Sequence, residues 1–150
     1  ARKIERVFRN NFNSRENEFY DHLVTHLFDG KLHRYAQNFI YYAKRGSRSR
    51  QAPIESAIEK SIHIFEQKWN TTVNTKTIVQ AQSPAGEPCL SIVDYMNWAV
   101  FRAFTRKEMH NFETVREKVS LLIDLYDTGK YPQNWYTRKS PFHIEKITPL

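Results

Sequence analysis

Apolar positions divide the chain into alternating helices and strands. Between residues 13 and 28, Phe19, Leu23, Val24, Leu27 and Phe28 recur at helical spacing. Asn13 or Ser14 is placed to cap that helix and Gly30 to end it. Residues 38–44 are mostly aromatic or β-branched with no breaker, which predicts a strand. Its unbroken apolarity predicts burial on both faces. Pro53 suits the first position of a following helix, in which Ile54, Ile58, Ile62, Phe65 and Trp69 form one stripe, with Glu55, Glu59 and Glu66 on another side. Val73, Thr75, Thr77 and Val79 predict a second strand over residues 73–82, closed by Ser83, Pro84, Ala85 and Gly86.

Pro88 then opens a segment dense in apolar residues, from Leu90 through Ile92, Val93, Met96, Trp98 and Val100 to Phe104. A helix apolar nearly all round is expected in a core, with Leu90, Val93, Met96, Val100 and Phe104 largely buried. Met109, Phe112, Val115, Val119, Leu122, Ile123 and Tyr126 predict a last amphipathic helix, and the tail with Pro132, Pro141 and Pro149 is expected to be irregular. The fold class is therefore α/β, helix-rich, with residues 1–127 as the domain and 128–150 as its tail. Two strands make an incomplete sheet, because a buried strand needs neighbours on both edges. A missing amino-terminal segment or self-association is expected to supply them.

Composition narrows the partners more than the fold. The 150 residues carry a formal net charge of +7, which favours a polyanionic partner, nucleic acid first. Charged residues at 26% are an ordinary globular value, and aromatic residues at 14% are many for a chain with four glycines, which argues against disorder. Cys89 is the single cysteine, which excludes an intrachain disulfide framework and multi-cysteine zinc sites and fits a reducing, cytoplasmic setting. No apolar run approaches the roughly 20 residues that cross a bilayer, so no membrane partner is expected.

Asp94 stands in the middle of the most apolar segment, where an isolated carboxylate costs several kcal/mol unless it is paired, protonated or metal-bound. Glu55, Glu59 and His63 follow one another at one-turn spacing, which can bring all three to one metal or merely line a solvated face. Oxygen donors of this kind suit Mg2+ or Mn2+. The turn with Lys44, Arg45, Arg48 and Arg50 runs into a helix amino terminus, where backbone amides already favour anions, and its cations could hold nucleic-acid phosphates. Cys89 reads as a packed thiol.

These residues carry a resemblance. Residues 87–104, with Asp94 near the middle and Arg102 near the end, resemble the late helix of the uncharacterised domain family numbered 3800, found in bacterial and phage proteins. The strand Phe39, Ile40, Tyr41, Tyr42, the run from Phe65 to Trp69, and Glu18, Phe19, Tyr20, Asp21 are similar as well, over about residues 7 to 127. The resemblance implies the carboxy-terminal part of a ribonuclease-H-like domain, with Asp94 matching the family's late acidic residue. It further implies carboxylates converging on two divalent metals for phosphodiester cleavage, and on that basis Asp94 is the catalytic candidate and Asp94, Glu55 and Glu59 the metal candidates. The family's early Asp-Glu-Ser motif has no counterpart in this chain. Two readings stay open: a nucleic-acid-associated piece of a metal-dependent nuclease, inactive alone, or a non-catalytic module binding nucleic acid or protein.

Overall fold

The computed structural model of the chain describes residues 5–44, 50–127, 130 and 132–147. It is a mixed helix-and-strand protein made of two compact units, one from Phe8–Ser91 and the other from Ala1–Val7 with Ile92–Leu150. Among the described residues, helices α1 (Glu5–Phe12), α2 (Glu16–Phe28), α3 (Gln51–Trp69), α4 (Cys89–Arg106) and α5 (His110–Val115) are accompanied by four strands. These are β1 (Gln37–Ala43), β2 (Lys76–Gln82), β3 (Leu121–Ile123) and β4 (Trp135–Thr137).

In the first unit β1 and β2 pair in parallel, with Gln37 opposite Lys76 and Ala43 opposite Gln82, and α3 makes the crossover between them. Parallel pairing requires a connection of this kind, since no tight turn can return the chain to the same end. Ile54 and Ile58 of α3 pack with Val24 of α2, Leu32 and Val79, while Ile40 and Tyr42 close over this cluster from the sheet. At the amino ends of the strands, the Asn38 amide donates to the Leu32 carbonyl and to Thr75 Oγ1, both at 2.9 Å, and the Thr75 hydroxyl donates to the Tyr35 carbonyl. Asn70 ends α3 in the left-handed conformation, as Asn and Gly do.

Two sequence expectations are corrected here. Asn13 and Ser14 do not cap α2; with positive φ they make the turn between α1 and α2, and α1 itself went unforeseen. Its role lies in Phe8 and Phe12, whose rings meet Phe19 edge-on at 5.6 and 5.2 Å. Strand β1 is buried on one face only: Asn38, Ile40 and Tyr42 turn toward the core, whereas Phe39 is 55% exposed and Tyr41 is exposed beside it. Among the described residues β1 has β2 as its single neighbour, so its other edge carries no strand.

The second unit departs further. Helix α4 forms where expected, yet Val93 is 51% and Trp98 42% exposed, and Leu90, Met96, Val100 and Phe104 are only half-buried. Its fully covered positions are Ala99 and Ala103, small side chains that let the helix approach Phe112, Val115, Tyr136 and Phe142 closely. The expected last helix stops at Val115, becomes a 3-10 turn over Arg116–Lys118, and gives way to β3, which pairs antiparallel with β4. The tail is thus not irregular throughout: β4 lies in it, and Phe142 is a hub, stacked on Phe104 at 4.6 Å and edge-on to Phe112 and Tyr136 at 5.2 Å.

Burial on this pattern sets relative costs. Ile58→Ala, at a position 2% exposed, should destabilise the chain by about 3 kcal/mol through lost transfer energy and a residual cavity. Val93→Ala should change it by less than about 1 kcal/mol. Urea unfolding of the two variants checks both values, and a cost at Val93 equal to that at Ile58 would restore α4's outer face to the core.

Candidate functional site

The carboxyl ends of β1 and β2 face the amino terminus of α3, the place where open parallel sheets present ligand-binding loops. A polar cluster is assembled there. The Gln51 side-chain amide donates to the Val79 carbonyl and to Glu55 Oε1, and its oxygen accepts from the Tyr42 hydroxyl at 3.0 Å. Tyr42 is legible as a strand residue, but this bridge between strand and helix depends on the crossover. The Lys44 amide extends the ladder to the Gln82 carbonyl at 2.9 Å, and its side chain is exposed.

Arg50 caps α3 in position and is bound on several sides. Its guanidinium donates to the Asn17 and Asp21 side chains of α2 and sits 4.7 Å from the centre of the Tyr20 ring. The resulting staple ties α2 to α3, and the Thr25 hydroxyl adds to it by reaching the Asp21 and Ala57 carbonyls at 2.9 and 3.2 Å. Of the four basic residues expected to hold phosphates, Lys44 is free to do so, Arg50 would have to exchange a carboxylate for a phosphate, and Arg45 and Arg48 lie outside the described residues.

Asp94 is not buried. It lies on the exposed side of α4, so the desolvation that made it conspicuous in the sequence does not operate. Arg102, on roughly the same side, pairs with Glu108 at 2.5 Å. Glu55 is half-buried against Gln51, Glu59 is exposed, and His63 turns to Glu66 and Gln67. Among the described residues no three His, Cys, Asp or Glu side chains come together where they could hold a metal ion. Glu55 and Glu59 belong to the first unit and Asp94 to the second.

The feature that the apolar pattern concealed is the outer face of α4. Tyr95, Trp98 and Phe101, at three-residue spacing, are all exposed, with Tyr95 and Trp98 ring centres 5.8 Å apart and the Arg102 guanidinium 5.4 Å from the Trp98 centre. Arg106 and Lys107 follow, both exposed. The signal was present as aromatic residues interleaved with Asp94, Asn97 and Arg102, a mixture that a core helix would avoid. Cys89, at the start of this helix, is exposed rather than packed, and a hydrogen bond with Glu87, reinforced by that residue's charge, holds its thiol above the ordinary range.

Comparison with family models, curated proteins and solved structures returns no match.

Two measurements test this geometry. Arg50→Ala should lower stability by about 1 to 3 kcal/mol, since it removes charge-assisted bonds between α2 and α3, with thermal unfolding as the readout. Cys89 should react slowly with iodoacetamide at neutral pH despite its exposure. Because Glu87 disfavours the thiolate, Glu87→Gln should bring the thiol down and shift the rate profile toward lower pH.

Proposed function

We propose that this chain is a nucleic-acid-binding module that engages single strands through the outer face of α4. The observation that carries the reading is the exposure of Tyr95, Trp98 and Phe101 on one helix beside Arg102, Arg106 and Lys107. Exposed aromatic rings are costly to hydrate and offer flat faces on which unpaired bases stack, while neighbouring cations draw the phosphates. The net charge of +7 supplies the long-range attraction, and Lys44 adds an exposed cation.

The ribonuclease-H-like fold and the resemblance to the 3800 family stay part of this proposal. The parallel crossover through α3 supports them only as far as many α/β folds share it. A nuclease reading has one specific observation in its favour: Asp94 is presented on the same side of α4 as Trp98 and Phe101, four and seven residues before them, where a bound strand would pass. Cleavage of this kind would use Mg2+ or Mn2+ held by several converging carboxylates.

Titration of a fluorescent single-stranded oligonucleotide decides the matter. Trp98→Ala and Phe101→Ala should each weaken binding about 10-fold, from a stacking contribution of about 1 to 3 kcal/mol, and affinity should fall steeply with salt. Asp94→Asn should strengthen binding by removing a charge that repels phosphate. Absent or salt-insensitive binding removes nucleic acid from the reading. Metal-dependent cleavage abolished by Asp94→Asn would replace the module with an enzyme.

A further inference from the structure

The unit containing Ile92–Leu150 holds a cleft of about 630 Å3, well within the size of small-molecule sites. Its floor is the ring cluster of Phe112, Tyr136 and Phe142, each almost completely covered and fixed by the edge-on contacts of Phe142. Partly exposed Val119, Leu122 and Pro141 form an apolar wall.

The rim is cationic. Arg116, Lys118 and Arg138 line it against the single carboxylate of Glu117. Arg116 is held by Glu113 at 2.9 Å, but no carboxylate among the described residues pairs with Lys118 or Arg138. Arg138 is carried on a tight turn in which the Thr137 amide donates to the Ser140 carbonyl at 2.9 Å and the Ser140 amide returns to Thr137 Oγ1 at 3.2 Å. Lys118 stands at the end of the 3-10 turn that follows α5.

We infer that this cleft binds a mononucleotide, its base against Val119, Leu122 and Pro141 and its phosphate between Lys118 and Arg138. A lone oxyanion would leave most of the volume and the apolar wall unused. A neutral aromatic would leave beside it two cations that no carboxylate among the described residues pairs with. A ligand with one flat apolar part and one anionic part satisfies both halves of the cleft, and the nucleotide, free or at the phosphorylated end of a strand, has that form. The inference stands on the cleft alone and does not need α4 to bind strands.

Isothermal titration of the full chain with adenosine monophosphate, adenosine, inorganic phosphate and a 5′-phosphorylated trinucleotide tests it. Adenosine monophosphate should bind saturably and at least about 10-fold more tightly than adenosine or phosphate, since each lacks one half of the recognition. Arg138→Glu and Lys118→Glu, both at exposed positions, should each weaken it about 10-fold or more, through loss of a charge-assisted contact and added repulsion. Lys76→Glu, an equal charge change at an exposed position on β2, should leave it unaltered. A trinucleotide that binds at least as well as the monophosphate, with the same dependence on Arg138, assigns the site to strand ends; a weaker one assigns it to the free nucleotide. No saturable binding, equal affinity for phosphate, indifference to both rim variants, or tighter binding of a glutamate-rich peptide carrying leucine would overturn the inference. Loss of oligonucleotide binding in Trp98→Ala with adenosine monophosphate binding intact separates the two proposals.

Discussion

The parallel pairing of β1 with β2 is the constraint from which the first unit follows. Two parallel strands cannot be joined at one end, so the chain must cross back over the sheet, and α3 is that return path. The crossover sets Ile54 and Ile58 against Val79 and Ile40, and it brings Arg50, at the start of α3, beside α2. Arg50 then becomes a structural cation, because the helix it precedes has to be fastened to α2 and Asp21 is the carboxylate within reach. A residue read as a phosphate ligand is spent on holding two helices together.

How much of this was legible depends on whether side-chain type distinguished the alternatives. Strands β1 and β2 were legible because runs such as Phe39, Ile40, Tyr41 and Tyr42 favour a pleated backbone, and α3 because its isoleucines repeat at helical spacing. The region after Val115 was not, since Val119, Leu122, Ile123 and Tyr126 keep a spacing compatible with a helix, while strands of three residues are too short to show alternation. Only the pairing of Leu122 with Tyr136, a tertiary fact, decides between the two.

Asp94 shows a second limit of pattern reading. A helix with apolar residues on every side reads as buried, and an acid within it then reads as an anomaly demanding a metal or a partner. In the structure the helix is anchored by its small residues Ala99 and Ala103, while the rings of Tyr95, Trp98 and Phe101 are exposed. Close approach favours small side chains at the contact, so the bulky residues that dominate the apolar count need not mark the covered face. The anomaly moves from the acid to the rings: exposed Tyr95, Trp98 and Phe101 now require an explanation that a buried helix would not.

Charge and aromaticity, each ambiguous alone, constrain one another at the surface. A basic excess without exposed rings would suit any polyanion, and exposed rings without cations would suit an apolar protein partner. On α4 the Trp98 ring lies beside Arg102, with Arg106 at the helix end and Lys107 just beyond it, and in the cleft an apolar wall stands beside Lys118 and Arg138. Lys118 and Arg138 are twenty positions apart in the chain and come to one rim only because β3 and β4 fold back on each other, so no linear motif could have announced them. The same two ingredients recur on a helix face and in a folded concavity, and both proposals rest on a ligand that is itself flat and anionic, as a nucleotide is.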